Sequence, residues 1–67
     1  MNSRELSAEL ARHGLSIPAA ADQIGIGKKA FYSKMKGKSQ FKQSEIKKLK
    51  ELLSLSDERI SEIFFAD

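Results

Sequence analysis

The sequence predicts an all-α domain built from five short helices. The chain contains no valine and no threonine, and no stretch alternates apolar with polar residues, so β-strands are not favoured. Apolar residues recur instead at spacings of three and four, the period of an amphipathic helix. The single proline and the four glycines fall near predicted helix boundaries. We expect residues 1–67 to form one domain with a single apolar core.

The first helix is expected to begin at Asn2 or Ser3 and to end near Gly14. Asn2 and Glu5 have the spacing of a capping box. His13 lies close to the predicted C-terminal end, and we interpret this lone histidine as a packing or capping residue. The buried face is formed by leucines four residues apart, Leu6 and Leu10.

The second helix is expected to follow the N-cap Ser16, to carry Pro18 in its first turn and to end at Gly25. Small side chains there allow another helix to approach closely. The third helix is predicted from Lys28 to Lys36. It would be anchored by the apolar pair Phe31 and Met35. Lys29, Ser33 and Lys36 would lie on the far side, with Lys28 and Tyr32 on one flank and Lys34 on the other.

The last two helices are predicted at about 43–53 and after the N-cap Ser56. Phe41 is expected to hold the loop before the fourth helix onto the core. Adjacent phenylalanines, Phe64 and Phe65, cannot point the same way. Either one of them serves a partner surface or both cover the chain's own core, and the sequence favours neither alternative.

Charge is distributed very unevenly along the chain. The net charge is +3 in total, but it is −1 over residues 1–27, +8 over 28–50 and −4 over 51–67. The middle segment holds nine of the twelve basic residues and one acid, Glu45. Such a lysine-dense segment suits a polyanion, because neutralising phosphates releases condensed counterions. Nucleic acid is therefore the first partner to expect.

Other classes of function are disfavoured. One histidine, no cysteine and no glycine-rich phosphate loop leave no catalytic pair, no metal site and no cofactor site, so we do not expect an enzyme. The carboxylate pairs Glu5/Glu9 and Glu58/Glu62 are interpreted as solvated helix faces. No apolar run could span a membrane and no signal-peptide pattern opens the chain, which favours a cytoplasmic protein.

Residues 16–38 resemble the helix–turn–helix of the phage repressor/Cro family. The resemblance rests on Ala21, Gly25, Ile26, Phe31 and the closing Gly37-Lys38. It extends through residues 31–38, 41, 45–46 and 62–65 to small Cro-like regulators of temperate phages of Gram-positive bacteria. It implies a compact five-helix, lambda-repressor-like domain with its helix–turn–helix at about 16–37. The third helix would enter the DNA major groove, usually as part of a dimer.

The resemblance also implies which side chains contact double-stranded DNA. Candidates for contacts with base edges are Lys28, Lys29, Tyr32 and Ser33. Candidates for backbone contacts are Ser16, Lys36, Lys38, Gln40 and Lys42. The implied function is regulation of a lysis/lysogeny promoter in the cytoplasm of a bacterial host.

The alternative is an interaction protein on the same scaffold. Where relatives carry polar residues, this chain has the apolar stretch 17–21, which could dock a protein instead of facing DNA. Some small phage regulators of this kind act by forming a heterocomplex with the phage repressor. The candidate interface residues are Ile17, Ala20, Phe64 and Phe65. A homodimer is also compatible with the sequence.

Overall fold

The computed structural model describes residues 1–65, and every regular element in them is helical. The α-helices span Ser3–Arg12 (α1), Ile17–Gln23 (α2), Lys28–Met35 (α3), Gln43–Leu52 (α4) and Asp57–Ile60 (α5). A π-helical segment, Ser61–Phe65, continues α5 without a break. The all-α prediction is confirmed. The sequence did not predict the widening of the last helix into a π-helix.

The predicted helix starts are capped by the expected side chains. The Asn2 side chain accepts a hydrogen bond from the Glu5 backbone N–H at 3.2 Å, and Ser16 and Ser56 cap α2 and α5 in the same way. His13 is exposed, and its Nδ1–H donates to the Glu9 carbonyl at 2.9 Å, so its predicted capping role is confirmed. The side-chain N-caps of Asn2, Ser16 and Ser56 satisfy backbone N–H groups that have no partner within the helices.

All the helices contribute to one apolar core. Its most deeply buried large side chains are Phe31, Leu6, Leu49, Leu53 and Ile63. Phe31 has no exposed surface, and Met35 is partly buried against the same core. The predicted anchoring of α3 is thus confirmed for Phe31 and, to a lesser extent, for Met35.

Three phenylalanine rings tie the loop after α3 to the core. The Phe41 ring meets Phe31 edge-on with centroids 5.3 Å apart, and it meets Phe64 in the same way at 5.6 Å. Edge-to-face packing of this kind adds about 0.5–1.5 kcal/mol per pair beyond the burial of area. Phe41 therefore holds residues 37–42 in place, as predicted.

Arg59 joins the two ends of the described chain. Its guanidinium donates to Glu9 at 2.7 Å, to Glu5 at 2.6 Å and to Glu62 at 3.2 Å. Alongside these ion pairs, the Asn2 backbone N–H donates to the Ile63 carbonyl at 2.6 Å. The interpretation of Glu5 and Glu9 as a solvated face is wrong, because Glu9 is buried and both carboxylates bind Arg59. Hydrogen bonds from Arg59, helped by Arg12, lower the pKa of Glu9 despite its burial.

Candidate nucleic-acid interface

The exposed face of α3 follows from how the helix is held. Phe31 points into the core, and α2, whose alanines Ala20 and Ala21 are buried, packs directly on α3. A four-residue connection, residues 24–27, joins the two helices, and Gly25 turns the chain there with a φ of +79°. With one side of α3 fixed in this way, Lys28, Lys29, Tyr32 and Lys36 are exposed on its other side.

Five of the nine predicted DNA-contact residues line one shallow depression on that outer face. The five residues are Lys29, Tyr32, Ser33, Lys36 and Lys38. Three ammonium groups, a phenol and an aliphatic hydroxyl thus lie around one surface, which we call the α3 depression. Each of these groups can donate hydrogen bonds to phosphate or to base edges.

The other four predicted contact residues lie outside the α3 depression. Lys28 is exposed in the first turn of α3. Ser16 is exposed, but its hydroxyl oxygen already caps α2. Gln40 and Lys42 are exposed on the loop that Phe41 holds in place. The structure therefore gathers four predicted contact residues of α3 with Lys38, whereas Gln40 lines a different depression beside Phe41 and Phe65.

Two lysines of the basic segment are neutralised within the protein. Lys34 donates to Glu45 at 2.5 Å, with its side chain only 11% exposed, and Lys50 pairs with Asp57. Lys34, predicted on the flank of α3 opposite Lys28 and Tyr32, does not contribute to the cationic surface, because its ammonium group pairs with the buried Glu45 carboxylate of α4. Seven lysines have no carboxylate partner among residues 1–65: Lys28, Lys29, Lys36, Lys38, Lys42, Lys47 and Lys48.

Glu45 is the structural residue that the sequence did not reveal. Burial alone would raise its pKa, but hydrogen bonds from the Lys34 ammonium and the Lys42 backbone N–H outweigh that effect and lower the pKa. The Lys42 N–H lies 2.8 Å from the carboxylate that also accepts from Lys34. Glu45 thereby couples α3 to the start of α4. The sequence signal for this role was that Glu45 is the single acid among the nine basic residues of segment 28–50.

The candidate protein-interface residues divide into two pairs. Ala20 has no exposed surface and Phe64 is only 9% exposed, so both belong to the core and their prediction as interface residues is wrong. Small size at Ala20 serves internal helix packing. Ile17 is half-buried at the surface, and Phe65 is 56% exposed. The two adjacent phenylalanines therefore differ: Phe64 completes the core and Phe65 faces solvent.

Comparison of the chain with protein-family models, curated proteins and solved structures found no match. Within residues 1–65, no group of three or more histidine, cysteine or acidic side chains is placed to hold a metal ion. No helix in that part of the chain is long and apolar enough to cross a membrane. The exposed face of α3, where three lysines surround Tyr32 and Ser33, is the strongest candidate for a functional site.

Proposed function

We propose that this chain is a Cro-like transcriptional regulator of the phage type, which binds double-stranded DNA through α3 and acts at a lysis/lysogeny promoter in the host cytoplasm. The observation that carries the proposal is the α3 depression, where lysines without acidic partners among residues 1–65 surround hydrogen-bonding groups. A regulator of this kind represses by occupying its operator and blocking the promoter. It needs no cofactor and performs no catalysis.

The dimensions of α3 and of DNA support this proposal. An α-helix with its side chains is about 10–12 Å across, and the major groove of B-DNA, about 12 Å wide, accepts a helix of this diameter. In the proposed helix–turn–helix, α2 and α3 correspond to the two helices of the motif. Lys29 and Ser33 would then face base edges, while Lys36 and Lys38 would meet phosphates.

The size of the molecule limits its footprint on DNA. The longest dimension is 26 Å, which covers roughly seven or eight base pairs at about 3.4 Å each. An operator for two copies would place half-sites about 34–36 Å apart, one helical turn of DNA. A homodimer on a palindromic site is therefore part of the proposal.

Two alanine substitutions should separate base reading from backbone binding. We expect Lys29→Ala to weaken binding to the operator by roughly 5- to 150-fold, the equivalent of about 1–3 kcal/mol, with less effect on unrelated DNA. Lys38→Ala should weaken binding to both DNAs by similar factors, because a phosphate contact carries no base information. Fluorescence anisotropy with the chain's own promoter fragment and a scrambled fragment measures both effects.

Each substitution serves as the control for the other, since both remove one exposed lysine from the same depression. If the ratio of operator affinity to scrambled-DNA affinity were the same in the two variants, Lys29 would not read bases. If neither variant differed from wild type, α3 would not be the DNA-binding helix.

A second candidate function is supported by exposed apolar surface. Tyr32 is 42% exposed and Phe65 is 56% exposed, and Ile17 lies partly open near Tyr32. These side chains suit a modulator that forms a heterocomplex with the phage repressor. Mixing the two purified proteins and following them by size exclusion separates the functions. A new species that no longer binds DNA would favour the modulator.

A further inference from the structure

The first turns of α1 border the α3 depression. A second shallow depression is lined by Ser3, Arg4 and Ser7 of α1, by Ile17 of α2, and by Tyr32, Met35 and Lys36 of α3. Tyr32 and Lys36 line both depressions. The outer surface of α3 therefore continues without interruption onto α1, a helix that the expected DNA contacts do not include.

Charged side chains on α1 are divided between two faces. Glu5 and Glu9 turn toward Arg59 and are held there by ion pairs. Arg4 lies on the other face together with the hydroxyls of Ser3 and Ser7, which stand four residues apart. The acids are thus kept away from α3, and the surface next to α3 carries only positive and hydroxyl groups from α1.

Arg4 differs from the other two arginines of the chain. Arg12 pairs with Glu9, and Arg59 pairs with three carboxylates. Arg4 is exposed and has no carboxylate within 4.0 Å in the part of the chain that is described. A free guanidinium beside hydroxyl groups matches the geometry of a phosphate, which accepts two parallel hydrogen bonds from arginine.

We infer that the Ser3/Arg4/Ser7 face of α1 is a second phosphate-binding surface, which contacts the DNA backbone beside the groove that α3 occupies. This inference rests on the proposed function and extends it to a helix outside the helix–turn–helix. DNA is the chosen partner because the face is continuous with the α3 depression and shares its positive charge.

The test compares two substitutions that change the charge of α1 equally. At about 0.1 M salt, Arg4→Gln should weaken binding to double-stranded DNA on the order of tenfold, whatever its sequence, and should reduce the steepness of the salt dependence by about 0.9. Arg12→Gln, at the other end of α1, should leave both quantities within about twofold of wild type, the ordinary effect of a remote charge. Arg4→Lys should restore most of the salt dependence. Circular dichroism checks that each variant is folded.

The possible results distinguish this inference from the proposed function. If the wild type binds DNA and the substitutions Arg4→Gln and Arg12→Gln weaken that binding equally, the α1 surface does not bind phosphate. The proposed site on α3 would be unaffected by that result. A variant Arg4→Gln that binds DNA normally but no longer associates with the repressor would assign the face to a protein and overturn the inference. Absence of DNA binding by the wild type would overturn both.

Discussion

Phe31→Ala is expected to remove a large part of the domain's free energy of unfolding at 25 °C. The Phe31 ring has no exposed surface and packs edge-on against Phe41. Removing a buried phenylalanine costs about 3–5 kcal/mol. A chain of 67 residues has a total free energy of unfolding of only about 3–10 kcal/mol, so the loss is comparable to the whole. Urea titration followed by far-ultraviolet circular dichroism measures the change.

The neighbouring residue provides the matched control for that experiment. Tyr32 is 42% exposed, and Tyr32→Ala should change the free energy of unfolding by no more than about 0.5 kcal/mol. Both variants lose an aromatic ring from α3, but only the first loses an anchor in the core. Equal urea midpoints for the two variants would contradict the proposed anchoring of α3.

Glu45→Gln is expected to destabilise the protein by about 3 kcal/mol, because it leaves the Lys34 ammonium buried without a carboxylate. The glutamine oxygen can still accept from the Lys42 N–H, so the loss isolates the ion pair. The double variant Lys34→Met/Glu45→Gln should recover most of the stability, since it removes both charges from the interior. Thermal unfolding of the two variants and the wild type makes the comparison.

Lowering the pH should destabilise the wild-type protein as well, because protonation removes the charge of Glu45. The folded state lowers the pKa of Glu45 and of Glu9 below the ordinary value of 4.5, so the unfolded chain takes up protons at a higher pH than the folded chain does. Stability is therefore fully present well above pH 4.5 and falls as the pH drops through the lower folded values. Glu45→Gln should show a weaker pH dependence, with Glu9 supplying the remainder. If the free energy of unfolding of Glu45→Gln fell with pH as steeply as that of the wild type, Glu45 would not contribute to the acid sensitivity.

The elements of the fold could be predicted because their signals are local. The caps at Asn2, Ser16 and Ser56 and the apolar spacing of α1 and α4 depend on residues three or four positions apart. The burial of Phe31 follows from the same spacing. The candidate site could be predicted in outline for a similar reason, because the alternation of core and surface along α3 places Lys28, Lys29 and Lys36 outside.

The errors concern contacts between residues that lie far apart in sequence. Arg59 binds Glu9 across 50 positions, and Lys34 binds Glu45 across 11, so no helical periodicity indicates either pair. Ala20 was predicted at an interface but is buried, because a small apolar residue suits a docking surface and a tight internal contact equally well. Likewise, the side chains of the adjacent Phe64 and Phe65 must point in different directions, but the sequence does not say which ring is buried. The packing against Phe41 decides that it is Phe64.

The measurement that tests the central claim most directly is the salt dependence of DNA binding by the wild-type protein. If the exposed lysines around α3 bind phosphates, the logarithm of the affinity for a promoter fragment should fall linearly with the logarithm of salt concentration, by about 0.9 for each phosphate neutralised. With Lys36, Lys38 and Lys42 each meeting one phosphate, the slope should be about −2.7 or steeper. Affinity that does not change between about 50 and 200 mM salt, or no binding at the lower concentration, would contradict the claim.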